Sequence, residues 1–268
     1  MKLLRTLLLE RLRLPALTRT NALAWAAALL VGGTVVFSGT PAAHAYDTTC
    51  FDNVAPGASL EYCDLTDAYL TNTDFSGAQL DFADLDGATL TGSNLSGADL
   101  SSASLVSVYL RSANLINASL VDANLYQGYL AYADFSSADL TDAYLFDAYL
   151  GSADLGNAVL LRANLFDAHL AGAKLNSADL SNATLFDAYL GLADLQGATL
   201  NGADLSYAYL GSANIQGADF TNADFSYAYL SGVTISSETK FAGAIWYNTI
   251  CPNGTLSNDN GGTCLGTW

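Results

Sequence analysis

Basic residues are scarce in this 268-residue chain, and the few present are unevenly placed. Nine Lys and Arg stand against 26 Asp and Glu, and five of the nine (Lys2, Arg5, Arg11, Arg13, Arg19) fall in the first nineteen positions. From residue 46 onward only Arg111, Arg162, Lys174 and Lys240 face 25 acids, a net charge of −21. Nucleic acid and anionic membranes both require a basic patch, so neither is an expected partner. Histidine is limited to His44 and His169, and methionine to Met1. That leaves too little material for a metal centre or a nucleophile–base pair, so no catalytic residue, metal ligand or cofactor site is assigned. Proline is missing between Pro56 and Pro252, so no backbone donor is lost over that stretch. The longest apolar run, Ala22–Phe37, has sixteen residues and at ~1.5 Å each falls short of a ~30 Å hydrocarbon core, which makes an uncleaved anchor the weaker reading beside a cleaved signal; after residue 45 no segment could span a bilayer. Low charge combined with abundant Leu, Ala and Tyr excludes disorder.

That apolar run follows the basic segment and precedes Pro41 and the small-x-small triplet Ala43-His44-Ala45. The layout is that of a secretory signal with cleavage before Tyr46. Residues 1–45 are therefore expected to be a signal peptide, and the mature protein to be periplasmic or extracellular. No twin-arginine pair occurs, which points to the general export route.

Leu, Phe or Ile occupies every fifth position from Leu60 to Ile235, giving 36 centres of which 30 are Leu. Two residues before each centre stands a small residue, Ala in 30 of the 36; the exceptions are Cys63, Thr73, Ser93, Val108, Gly128 and Val233. A period of five matches neither a helix nor a long strand. Within each unit, though, Ala-x-Leu has period two, so both side chains face the same way, as in a three-residue strand. The two residues between units are mostly Ser, Gly, Asn, Asp and Thr, which favour turns. Short extended pieces joined by corners wind the chain into a tube.

Units such as Ala83-Asp84-Leu85-Asp86-Gly87, Ala98-Asp99-Leu100-Ser101-Ser102 and Ala203-Asp204-Leu205-Ser206-Tyr207 follow the pattern A(D/N)LXX. Over residues 58–237 the chain resembles the pentapeptide-repeat family. The resemblance implies an all-β fold, a right-handed quadrilateral β-helix with four units per coil and about nine coils. At ~4.8 Å per layer such a tube is roughly 43 Å long. Its inside would be filled by Leu and Ala, so function must lie on the outer surface or at the ends.

The residue just before each centre should point outward. Taking every fourth unit gives Tyr69, Thr89, Tyr109, Tyr129, Tyr149, His169, Tyr189, Tyr209 and Tyr229, whereas the other 27 such positions hold one Tyr, Tyr144. This twenty-residue super-period independently supports a four-sided coil, with the tyrosines in one column and His169 as an aromatic substitute. At the preceding corner fall Val106, Tyr126, Phe146, Phe166 and Phe186, continued one place later by Tyr207 and Tyr227. On the other flank stand Ala131, Gly151, Ala171, Gly191 and Gly211, expected to form a shallow track. An exposed Tyr/Phe strip of this extent exceeds the apolar patch a soluble monomer usually shows. Two readings stand side by side: the rings stack only on one another and stiffen the tube, or they form a surface for a polysaccharide, a protein or a side-by-side homodimer; the sequence does not separate them. The function expected is therefore that of an exported, non-enzymatic structural or binding module. The alternative, implied by cytoplasmic members of the resembled family, is an acidic DNA-mimicking decoy of a nucleic-acid-binding protein such as a topoisomerase.

Four cysteines remain: Cys50, Cys63, Cys251 and Cys264. In a tube roughly 40 Å long, disulfide geometry forbids end-to-end pairing, which leaves Cys50–Cys63 and Cys251–Cys264. Export favours their oxidation. Residues 46–57 are then the N-terminal cap, 58–237 the β-helix, and 238–268 the C-terminal cap and disulfide loop, with Phe241 and Trp246 keeping the five-residue spacing after a one-residue slip.

Overall fold

The computed structural model describes Ala28–Val31, Thr34–Phe37, residues 50–51 and residues 53–267. The chain divides into two compact units, residues 1–48 and 49–268. In the first, β1 (Ala28–Val31) and β2 (Thr34–Phe37) pair antiparallel, from Ala28 opposite Phe37 to Val31 opposite Thr34. The β-branched Val31, Thr34, Val35 and Val36 suit extended backbone. The basic segment of the expected signal and its triplet Ala43-His44-Ala45 lie outside the described residues, as do residues 46–49 of the expected cap. Among the described residues no helix is long and apolar enough to cross a membrane.

The second unit is a four-sided coil. Parallel bridges join residues twenty apart, as in Ser59↔Gln79, Asp64↔Asp84, Tyr69↔Thr89 and Asp74↔Asn94, before the first column is met again at Gln79↔Asp99. Backbone donors explain why the unit has its composition. Around Leu85, the Ala83 N–H donates across the corner to the Leu80 carbonyl (3.1 Å) and the Asp84 N–H to Cys63 on the coil before (2.8 Å). The N–H groups of Leu85 and Gly87 donate to Ser104 (2.7 Å) and Val106 (2.8 Å) on the coil after. One N–H per unit is left over, that of the first corner residue. Here it belongs to Asp86 and donates to Asp84 Oδ1 at 3.1 Å. Thr66 on Asp64, Ser96 on Asn94, Ser136 on Asp134 and Thr221 on Asp219 repeat this bond. The Asp or Asn before each Leu is thus an acceptor for its own corner.

The corners are type II turns. Ala153 N–H donates to the Leu150 carbonyl (2.9 Å), and the second corner residue, Ser152, has φ 56°. The left-handed conformation explains why Gly, Asn, Asp and Ser fill that position; Tyr207 and Tyr227, both at φ 62°, adopt it despite their bulk. Inside, Leu and Ala are buried along the whole coil, Leu150 and Ala148 at 0% exposure among them. Each buried Leu contributes ~1.5–3 kcal/mol, so the core holds the tube while its outer side chains are left to other tasks.

Both ends are closed. Cys50 and Cys63 are bridged with Cα atoms 5.8 Å apart, and Cys63 holds an inward small-residue position. After Ile235 one extra residue is taken up in the corner, where Gly217 N–H donates to both Ser236 Oγ and Thr239 Oγ1 (3.0 Å each). Bridges then span 21 residues, Asp219↔Lys240, Asp224↔Ile245 and Tyr229↔Ile250. Phe241 stacks on Phe220 (5.5 Å between ring centroids) and Trp246 on Phe225 (4.8 Å), so aromatics cover the phenylalanines of the last core layer. A 3-10 helix, Ser257–Asn260, folds back, and Cys251–Cys264 (Cα 5.3 Å) ties the closing loop.

Candidate functional site

The bridges run Tyr69, Thr89, Tyr109, Tyr129, Tyr149, His169, Tyr189, Tyr209, Tyr229 along one side of the coil. The rings form two stacks. Tyr109, Tyr129, Tyr149 and His169 follow one another at 4.8, 5.4 and 4.9 Å with interplanar angles of 4°, 6° and 13°. Tyr189, Tyr209 and Tyr229 follow at 4.8 and 4.9 Å. Among the described residues no ring contact joins His169 to Tyr189. Glycine accounts for the second stack's position. A Cβ at Gly191 would lie 2.9 Å from Tyr209 Cε1 and 3.2 Å from Tyr189 Cε1, and one at Gly211 would lie 2.8 Å from Tyr209 Cε1. These rings therefore rest on the glycine backbone and bury it. At Gly151 the nearest atom to such a Cβ is the Ala171 carbonyl oxygen, 3.9 Å away, so Tyr149 stands clear. The track expected beside the column is thus open at Ala131, Gly151 and Ala171 and roofed at Gly191 and Gly211.

The corner column is continuous. Tyr126, Phe146, Phe166 and Phe186 follow at 5.5, 5.0 and 5.0 Å, and Tyr207, Tyr227 and Tyr247 extend the line at 5.1, 4.7 and 5.3 Å. Tyr144 joins it, 6.1 Å from Phe146. Tyr126 and the three Phe are half-buried against one another, so the exposed part of the strip is mainly tyrosine. Tyr69 (55%), Tyr109 (44%) and Tyr189 (43%) show their outer edges and hydroxyls.

The tyrosine side differs from the other three in two further ways. It carries no acid: residues 69–72, 89–92, 109–112 and onward to 229–232 contain neither Asp nor Glu. Acids resume at the neighbouring corner with Asp147, Asp167 and Asp187. Moreover, a Tyr before the Leu offers no acceptor to its own corner. Among the described residues the N–H groups of Ala131, Gly151 and Ala171 have no intramolecular hydrogen-bond partner, and they succeed one another coil by coil beside the ring stack.

The cations reflect the same division. Arg162 is held by both Asp142 oxygens, with Nε 2.7 Å from Oδ1; Lys174 pairs with Asp154 (2.8 Å) and Lys240 with Asp219 (2.9 Å). Each pair links neighbouring coils on an acid-bearing side. The Arg162 hydrogen bond holds the Asp142 carboxyl below the usual carboxylate range, and the Thr221 hydroxyl and Lys240 do the same for Asp219. Arg111, on the tyrosine side, instead lies over the Tyr132 ring at 4.8 Å.

Some exposed hydrophobic side chains sit outside the two columns read from the sequence. Tyr62 stacks on Phe82 (5.1 Å), and Leu192 is 72% exposed. Tyr62 and Phe82 are twenty residues apart, so applying the same super-period to the second corner residue finds them. Among the described residues no group of three or more His, Cys, Asp or Glu is placed to hold a metal ion.

A family model described as pentapeptide repeats, in eight copies, matches residues from 57 to 236. HetL, a pentapeptide repeat protein involved in heterocyst differentiation regulation in Nostoc sp. strain PCC 7120, is 31% identical over 75% of this chain and 92% of its own, with a TM-score of 0.46. A pentapeptide repeat protein of the Arabidopsis thaliana thylakoid lumen is 36% identical over 35% of this chain and 66% of its own (TM-score 0.35). QnrB1, a plasmid-mediated fluoroquinolone resistance protein, is 20% identical over 67% and 89% (TM-score 0.35). No curated protein matches the chain. With five-residue units bridged at twenty and a family match over most of its length, the chain belongs to the pentapeptide-repeat family, whose members fold as right-handed quadrilateral β-helices.

Proposed function

We propose that the mature chain, from Tyr46, is an exported, non-enzymatic binding module. It is a rod of about nine coils that engages its partner through the tyrosine side and the aromatic corner beside it. One observation carries this reading: a chain with 25 acids and four cations after residue 45 keeps one long side free of acids and fills it with tyrosine. Self-stacking explains rings in a column, but it does not explain the exclusion of Asp and Glu from positions 69–72 through 229–232. Burying carboxylates that meet no donor on the partner is unfavourable, so their exclusion marks the side meant to be covered. Two disulfides suit an oxidising compartment, which supports export. The partner is a polysaccharide, a protein or a second copy of the chain. Replacing Tyr149, Tyr189 and Tyr209 with Ala should abolish retention on the extracellular or wall fraction while the circular dichroism of the coil persists. Unchanged retention overturns the reading.

A second reading draws on another feature, the vertical pairs Asp64–Asp84, Asp134–Asp154 and Asp204–Asp224 on acid-bearing sides. It is an acidic decoy of a nucleic-acid-binding protein such as a topoisomerase. Potent topoisomerase inhibition by the mature chain, together with its presence in the cytoplasm, decides for it.

A further inference from the structure

The proposal that the tyrosine side is a binding surface can be taken one step further, to the chemistry of its ligand. Three lines run side by side along the coils from residue 109 to residue 172. The middle line is the stack Tyr109, Tyr129, Tyr149 and His169, whose ring faces cover one another at 4.8–5.4 Å and whose edges and hydroxyls point outward. On one flank are the N–H groups of Ala131, Gly151 and Ala171, which have no intramolecular acceptor among the described residues. On the other flank the corner carries Asp147 and Asp167, with Asp187 one coil further on. The free donors thus recur over three successive coils and the carboxylates over two, with Asp147 also accepting from Gln127 Nε2 (2.8 Å), at a spacing of ~4.8 Å.

A ligand that fits this arrangement has three properties. It is a linear polymer, because the groups repeat at one spacing along a straight line. Its polar groups both accept and donate, because one flank offers N–H groups, with the Arg111 guanidinium and the Ser152 hydroxyl at the same corner, and the other offers carboxylate oxygens. It carries no net negative charge, because it must approach a chain with a net charge of −21 past residue 45, at whose corner those carboxylates stand. Hydroxyl groups on an uncharged sugar chain meet all three conditions. A second copy of the rod presents aspartates in rows at the same repeat, but its own negative charge opposes the approach. Stacking of sugar rings on aromatic faces is not needed, since these faces are already occupied by neighbouring rings.

We infer that the segment from Tyr109 to Gly172 is a docking track for a neutral, linear polysaccharide lying parallel to the rod axis, whose hydroxyls accept from the Ala131, Gly151 and Ala171 N–H groups and donate to the corner aspartates. The inference rests on the binding role proposed above but stands on a different observation, the uncapped donors.

Proline gives a selective test. Residues 131, 151 and 171 are the first corner residues of type II turns, the position that proline favours, and none has a positive φ. The variant A131P/G151P/A171P therefore removes three donors and leaves the turns and the tyrosines in place. V121P/L161P removes two N–H groups at the equivalent corner position on another side and is the control. The assay is native electrophoresis of the mature protein in gels containing hydroxyethylcellulose, a neutral β-linked glucan, or polygalacturonate, an anionic one. The expected result is retardation by hydroxyethylcellulose and none by polygalacturonate. The triple proline variant should weaken that retardation about tenfold or more, and the control should migrate as the parent. If hydroxyethylcellulose does not retard the protein, or the triple proline variant is retarded like the parent, the inference falls. If Y149A/Y189A/Y209A loses wall-fraction retention while the proline variant keeps it, the strip binds by other means, and only the donor track is overturned. A dimer–monomer shift in the tyrosine variant with no glucan retardation assigns the side to a second copy and likewise overturns the track.

Discussion

Gly151 and Gly211 occupy the same corner position three coils apart, yet adding a methyl group should move stability in opposite directions. At Gly211 the new Cβ would lie 2.8 Å from Tyr209 Cε1, with the ring's Cζ and hydroxyl also in its way. The ring must swing off the backbone, which breaks its stacking on Tyr189 (4.8 Å) and Tyr229 (4.9 Å). At ~0.5–1.5 kcal/mol per aromatic pair, about 1–3 kcal/mol is lost. Alanine restricts the unfolded chain more than glycine does, and at a residue with no positive φ this returns about 0.4–1 kcal/mol. Gly211→Ala should therefore destabilise by about 1.3 kcal/mol at the midpoints of these ranges, and by no more than about 2.6 kcal/mol. At Gly151 the only neighbour is the Ala171 carbonyl oxygen at 3.9 Å, an ordinary contact, so the unfolded-state effect acts alone and Gly151→Ala should stabilise by about 0.4–1 kcal/mol. Urea unfolding followed by far-ultraviolet circular dichroism measures both, and the near-ultraviolet tyrosine band should change for Gly211→Ala alone. Shifts of the same sign, or an unaltered tyrosine band in the Gly211 variant, refute the assignment of two differently leaning ring stacks.

Three other outcomes follow from the same structure. Asp134→Ala removes the acceptor of both the Ser136 N–H (2.9 Å) and the Ser136 hydroxyl (2.5 Å) and should destabilise by ~1 kcal/mol in urea melts, whereas Asp134→Asn should retain most of that, as Asn94 and Asn114 do in the same column. Reduction of the two disulfides, each closing an interval of thirteen residues, should lower stability by ~3 kcal/mol per bridge, and hydrogen exchange should show the terminal coils opening before those around residue 150. Asp142 and Asp219 have folded pKa values depressed below the ordinary 3.8, so their stabilisation is fully present above that value and is lost as the pH falls through the lower folded one. Thermal melts should therefore show this loss only below about pH 3.8, and Arg162→Gln should reduce it.

The four-sided coil was legible because a buried side chain obeys one rule at every fifth position, whatever its neighbours do. Thirty Leu and thirty Ala say the same thing, and Tyr recurring every twentieth residue adds the number of sides. Which cysteines pair also followed, since the length of the tube leaves two partners in reach. What the sequence did not reveal depends on rotamers and on donors left over. The roofing of Gly191 and Gly211 by Tyr189 and Tyr209, and the open track at Gly151, depend on which way the rings lean, and the outward alternation of residues does not encode it. The half-burial of Phe146, Phe166 and Phe186 has the same origin: at a corner, rings pack on one another rather than stand out. The uncapped N–H row was within reach of sequence reasoning. Once Asp or Asn before Leu is understood as an acceptor for the corner, its replacement by Tyr at 129, 149 and His at 169 predicts the unpaired donors at 131, 151 and 171. The antiparallel pair β1–β2 was not foreseen, because the apolar run there was read as an export signal rather than by its β-branched residues.

The bridging interval of twenty constrains how such a protein can change length. Inserting or deleting a complete circuit alters the reach of the rod but returns every later side chain to the side it held before. A change of five residues keeps the Leu core intact, so the product still folds, but everything beyond the event turns by a quarter. The tyrosine ladder would then break at that point and continue on a side rich in aspartate. Folding tolerates steps of five, whereas an unbroken aromatic side tolerates only whole circuits. The unbroken phase from Tyr69 to Tyr229 therefore records which of the two has been preserved.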